Sequence, residues 1–115
     1  MLIYCIAGKD RTGILSAIIL TIAGHTPDDV ANDYVLSRIG VEVKRVALLE
    51  GLKEWLGVDA LVQEGVVELA STKVEFMLGS LRFMERRYGG VVGYCRDILN
   101  LDQESLERLR ANIVA

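Results

Sequence analysis

The sequence has almost no proline, few cysteines, no block of like charge and no apolar run long enough to cross a membrane. One proline in 115 residues, with no Ser-rich stretch, leaves no linker composition and no sign of a second domain. Two cysteines, Cys5 and Cys95, are too few for the disulfide scaffold of a small secreted protein. Both thiols are therefore expected free, with a reducing, cytoplasmic compartment as the default. The most apolar stretch, Ile14 to Ala23, is half of the roughly 20 residues a spanning helix takes, which argues against stable membrane insertion. A signal peptide is the rival reading, since Lys9 and Arg11 precede this stretch and Ala23-Gly24 follows it, but Asp10 sits inside its basic region. Thirteen basic against 16 acidic residues give a net charge of -3, which argues against a nucleic-acid partner held by broad phosphate neutralisation.

What remains is a folded chain, 51% hydrophobic with mean hydropathy +0.32, read as a single domain over residues 1–115. Met1-Leu2-Ile3-Tyr4 predicts a short buried strand, although alone it has no ladder partner. A tight loop over residues 5–11 follows, and Thr12-Gly13 is expected to open a helix whose Ile14, Leu15, Ile18, Ile19 and Ile22 recur at helical spacing. Thr26-Pro27-Asp28-Asp29 supplies a capping hydroxyl, a first-turn proline and first-turn acids, so a second helix starts there with Val30, Ala31, Tyr34 and Val35 inward and frays near Gly40. A third helix is expected to run from Val43 to Leu56 and stop at Gly57. Asp59 to Glu64 suggests a helical turn, and residues 66–69 are open between strand and helix. Thr72-x-x-Glu75 matches a capping box, leading into a stripe of Met77, Leu81, Met84 and Tyr88 that ends at Gly89-Gly90. Asp102 is expected to cap a last helix with Leu106, Leu109 and Ile113 on one face.

The chemistry concentrates in Cys5-Ile6-Ala7-Gly8-Lys9-Asp10-Arg11-Thr12-Gly13. A loop of this length before a helix can turn successive backbone N–H groups inward, and the helix start adds unpaired N–H groups and a positive dipole end. Such a cradle suits an oxyanion. A thiol at its floor loses its proton easily, because the helix terminus and Arg11 favour the thiolate. Cys5 is thus a candidate nucleophile, and the planar fork of Arg11 can hold two oxygens of a phosphate. Gly8 frees the backbone to approach substrate. Thr12 is expected to hydrogen-bond the sulfur, Lys9 to point outward toward further substrate phosphates, and Asp10 to serve as general acid. Ile6, Ala7 and Gly13 complete the candidate substrate-binding loop.

This run resembles the phosphate-binding loop of the cysteine-based tyrosine phosphatases, in particular the tyrosine/serine phosphatases of fungi and bacteria whose loop carries Lys-Asp before the arginine. Asp33-Tyr34-Val35-Leu36-Ser37-Arg38 and Tyr88-Gly89-Gly90-Val91-x-x-Tyr94 extend the resemblance over nearly all of the chain. It implies an α/β phosphatase fold, seen here as its mostly helical C-terminal half with one N-terminal strand. It also implies Cys5 as nucleophile through a phosphocysteine, Arg11 as phosphate holder, and no metal or other cofactor. The partners implied are a phosphorylated protein or, given Lys9, a phosphoinositide. Two departures stand out: Tyr4 occupies the place of the family's usual histidine, and only four residues precede Cys5. A half-domain of this kind is expected to self-associate through its uncovered apolar surface.

Other readings compete. A free cysteine is ordinarily a small buried hydrophobe, and Cys5 escapes that only through the whole motif around it. A Walker loop on Gly8-Lys9 fails, because Ile3 and Asp10 occupy the positions of its first glycine and its Ser/Thr. Cys95 reads as a structural or surface thiol, His25 as a surface residue at a helix end, and Trp55 as a core or interface aromatic. Glu85-Arg86-Arg87, Glu107-Arg108 and Arg110 read as solvated helix faces. The alternatives to an enzyme are an inactive phosphate-binding remnant and a helical interaction module.

Overall fold

A computed structural model describes residues 2–57, 65, 68 and 71–114. The helices among the described residues are, in order, α1 (Asp10–Ala23), α2 (Pro27–Leu36), α3 (Arg38–Val43), α4 (Arg45–Leu56), α5 (Val74–Tyr88), α6 (Val91–Asp97) and α7 (Gln103–Val114). The apolar run of α1 places it at the centre, against α2 on one side and α6 and α7 on the other, while α5 packs on α2 and α6. Ala17, Val30, Ala31, Tyr34 and Met77 form one core cluster; Ile18, Ile22, Met84, Val91, Cys95 and Leu106 form a second. Ile14 and Leu81 pack against both and join them.

Gly13 sets the closeness of α1 to α2. A Cβ there would lie 2.8 Å from Tyr34 Cδ2, nearer than carbon atoms approach without displacement, so the ring of Tyr34 fills the room that the missing side chain leaves. The start of α2 follows its sequence signature. Thr26 Oγ1 accepts from the Asp29 amide at 3.2 Å and Asp29 Oδ2 accepts from the Thr26 amide at 3.1 Å, a reciprocal cap with Pro27 just inside it.

Helices α3 and α4 pack on each other, with Glu42 salt-bridged to Arg38 at 3.6 Å and to Arg45 at 3.2 Å. Val41 is buried, but Val43, Val46 and Trp55 stand well out of the core. This arm helps to give the molecule dimensions of 49 × 28 × 23 Å and a radius of gyration of 16.1 Å, where a compact chain of this size has about 13 Å.

Several expectations are corrected. Residues 2–5 form no strand, and none exists among the described residues; an apolar tetrapeptide becomes a strand only with a ladder partner. The first helix opens at Asp10, two residues earlier than Thr12. The second ends at Leu36, and the short α3 then runs through Gly40. Lys73, in extended conformation, caps α5 without a side-chain hydrogen bond, so the Thr72/Glu75 box does not form, and the Thr72 hydroxyl is buried without a partner. Trp55 is 81% exposed, which removes the core reading. Leu106 is buried as expected, whereas Leu109 and Ile113 are largely exposed. Asp102 accepts from the Ser105 amide at 2.8 Å, as its capping role requires. The turn read at 59–64 and most of the open segment at 66–69 lie outside the described residues.

Candidate active site

The loop leaves Cys5 by a turn in which the Gly8 amide donates to the Cys5 carbonyl at 3.1 Å. Gly8 has φ +62°, a left-handed conformation that glycine adopts without the Cβ penalty. The chain then enters α1 at once, and the Gly13 amide closes the first turn on the Lys9 carbonyl at 2.7 Å. The amides of the first turn have no helical acceptor; of these the Thr12 amide reaches the Cys5 sulfur, joined by the Gly8 and Lys9 amides that precede the helix.

The thiol is lowered from an ordinary 9.0 to about 7, first by the Thr12 hydroxyl, then by the Thr12 amide, with the Lys9 and Gly8 amides adding to this and burial opposing it. The Thr12 hydroxyl oxygen is buried and makes no hydrogen bond in this conformation, which leaves its proton able to turn toward sulfur. Thr12 is the first cause of the lowering. Arg11 is not among the causes and its side chain is exposed. The thiolate is favoured by neutral donors aimed at it, in place of the neighbouring cation expected from the sequence. Cys95 shows the reverse: buried in the second core cluster, its thiol is pushed up by loss of solvation.

Cys5, Ile6, Ala7, Lys9, Asp10 and Arg11 share one wall of a cavity of about 680 Å³. The opposite wall is α4, through Ala47, Leu48, Gly51, Leu52 and Trp55. Nucleophile, carboxylate and guanidinium candidates therefore open on one space, with apolar surface facing them. Asp10 is mostly exposed, and its carboxylate lies 3.0 Å from Lys9 Nζ.

Lys9 departs from expectation. Its side chain turns inward, the residue is only 5% exposed, and Nζ donates to the Ser71 carbonyl at 3.0 Å. An outward reach toward substrate phosphates is not its conformation here. The wall of α4 and the Ser71 carbonyl were missed from sequence. An amphipathic α4 with no evident partner was the available signal for the first; a backbone carbonyl 62 residues away leaves no signal for the second. Among the described residues no group of three or more His, Cys, Asp or Glu side chains could hold a metal ion, and no helix is long and apolar enough to cross a membrane.

A low thiol in an amide-lined loop at a helix start, sharing a cavity with an arginine, is the kind of site that cysteine-based phosphatases use. The chain belongs to the tyrosine phosphatase family, whose model matches residues 1–115. It is similar to the triple specificity protein phosphatase PtpB of Mycobacterium tuberculosis, at 27% identity over 96% of this chain and 42% of that protein. It is also similar to the predicted tyrosine-protein phosphatase H16_A0669 of Cupriavidus necator, at 30% identity over 92% of this chain and 37% of that protein. The chain thus spans about two-fifths of the length of these curated relatives. No solved structure matches it.

Proposed function

We propose that the chain hydrolyses phosphate monoesters through a phosphocysteine on Cys5. The reading is supported most by one observation: Cys5, with its thiol lowered to about 7 by the Thr12 hydroxyl and the loop amides, opens on the same cavity as Arg11 and Asp10. The thiolate attacks phosphorus, the bond to the ester oxygen breaks, and Asp10 gives that oxygen a proton. Water then attacks the phosphocysteine, its proton passes to Asp10, and the thiolate leaves with inorganic phosphate as product. Arg11 folds over two phosphoryl oxygens once substrate is present, while the remaining loop amides and the first turn of α1 hold the others. No metal is invoked.

The apolar wall of α4 favours esters of an apolar alcohol. A phosphotyrosine side chain in a protein fits this description; a phosphoinositide, whose ester oxygen belongs to the polar inositol ring, is the second substrate class the assay compares. The name of the Mycobacterium relative, a triple specificity phosphatase, supports breadth of this kind. The proposed setting is cytoplasmic, where the Cys5 thiol stays reduced.

The test is phosphate release from an aryl phosphate, a phosphotyrosine peptide and phosphoinositide vesicles, with Cys5→Ser and Arg11→Ala as controls. Release that vanishes in both variants is the expected result. Release unchanged by Cys5→Ser would overturn the mechanism, and phosphate binding without turnover would leave the chain as a binding module.

A further inference from the structure

Lys9 has two ends that do different things. Its backbone belongs to the loop: its amide faces the Cys5 sulfur and its carbonyl closes the first turn of α1 by accepting from Gly13 at 2.7 Å. Its side chain is buried, with Nζ 3.0 Å from the Ser71 carbonyl and 3.0 Å from Asp10 Oδ1. A buried ammonium is costly unless it has acceptors, and a cation at a helix N-terminus has the wrong sign for the dipole. These two acceptors help to offset both costs and hold the side chain toward Ser71 and Asp10.

The segment that Lys9 reaches is itself tied down. The Ser71 amide donates to the Glu68 carbonyl at 3.0 Å, Ser71 Oγ donates to the same carbonyl at 2.8 Å, and Lys73 pairs with Glu68 at 2.6 Å. Directly afterwards α5 begins, and its Met77 is packed against Tyr34 and Ala17 in the core. A continuous set of bonds therefore runs from the loop amide beside sulfur, through the Lys9 side chain, to a fixed point at the head of α5.

Resting on the reading of Cys5 as the phosphate-loop thiol, we propose that Lys9 is a positioning residue. It latches the phosphate loop to the Ser71 carbonyl and so holds its own amide toward sulfur and the Asp10 carboxylate at the cavity, without itself contacting the phosphate.

The test compares the intact chain with Lys9→Met in three measurements: hydrogen exchange of the amides of residues 71–73, the pH midpoint of Cys5 alkylation by iodoacetamide, and protection of Cys5 by inorganic phosphate. The latch predicts faster exchange at 71–73, a midpoint raised above that of the parent, and a phosphate protection constant changed by less than about fivefold. Unchanged exchange overturns the latch. Faster exchange with an unmoved midpoint makes Lys9 merely structural and overturns the positioning role. A protection constant weakened beyond about fivefold makes Lys9 a phosphate ligand and also overturns it. If Lys9→Met does not fold, Lys9→Ala, which also removes the donor to the Ser71 carbonyl, is judged on the same criteria. Failure of phosphate to protect the parent protein counts against the proposed function, and the exchange and midpoint measurements then decide the role of Lys9.

Discussion

Two regions of similar apolar composition meet opposite fates in this molecule. In the bundle of α1, α2, α5, α6 and α7, the apolar side chains interlock, and Gly13 draws two helices together until the Tyr34 ring occupies the space of a Cβ. In the arm of α3 and α4, Val43 and Val46 stay in solvent, and Ala47, Leu48, Leu52 and the largely exposed Trp55 line the cavity opposite Cys5. Hydrophobic content alone does not separate core from site. The separation comes from whether a second apolar face lies within van der Waals reach, and across the cavity α4 faces the loop of residues 5–11. The bundle accordingly accounts for stability, and the loop with its facing arm carries the proposed chemistry.

The largest effect that would sharpen this division belongs to Cys5→Ser. Phosphate release should fall by about a thousandfold or more, with helical content and thermal midpoint unchanged; a loss of fold would make Cys5 part of the core instead. Next come paired truncations on the two sides. Met77→Ala should cost about 2 to 5 kcal/mol in denaturant unfolding, because Met77 is buried between α1, α2 and α5. Trp55→Ala should stay within about 0.5 kcal/mol, while KM for an aryl phosphate rises. Equal costs at the two sites would erase the distinction between bundle and arm.

Gly13→Ala sets two effects against each other. Alanine gains up to about 1 kcal/mol of helix propensity, but a Cβ 2.8 Å from the Tyr34 ring costs about 1 to 3 kcal/mol in a packed core. The contact should win, giving a net loss of about 1 kcal/mol or more, and a stabilised variant would show that the seam between α1 and α2 yields easily.

The smallest effect is a shift in titration. The thiolate fraction of Cys5 rises with pH through about 7, so alkylation should have its midpoint there. Thr12→Val removes the donor that lowers the thiol most, and the midpoint should climb toward 9.0, so that alkylation near neutral pH slows. The sign for stability follows from the same depression. The ionised thiol contributes to the folded state above the ordinary thiol value, and that contribution is lost as pH falls through about 7. A midpoint indifferent to Thr12→Val would remove the hydroxyl from the account.

Much of this arrangement is legible in the residues. Thr26-Pro27-Asp28-Asp29 predicts the start of α2 because its signals are all local, and the motif from Cys5 to Gly13 predicts an amide-lined turn at a helix start for the same reason. The stripe of Met77, Leu81 and Met84 is legible because helical period alone sets it. What is not legible depends on distant groups. The inward turn of Lys9 depends on a carbonyl 62 residues away, the exposure of Trp55 depends on what α4 fails to meet, and the missing strand at residues 2–5 depends on a pairing partner. The Thr72-x-x-Glu75 pattern failed because the helix took Lys73 as its cap and left the Thr72 hydroxyl buried.

The central claim is that Cys5 accepts a phosphoryl group in the course of turnover. Rapid acid quenching during hydrolysis of an aryl phosphate, followed by mass spectrometry of the peptide that contains Cys5, tests it most directly. The account predicts a peptide heavier by one phosphoryl group, abundant early and decaying as substrate is exhausted. Phosphate release with the Cys5 peptide unmodified at every time point would contradict it.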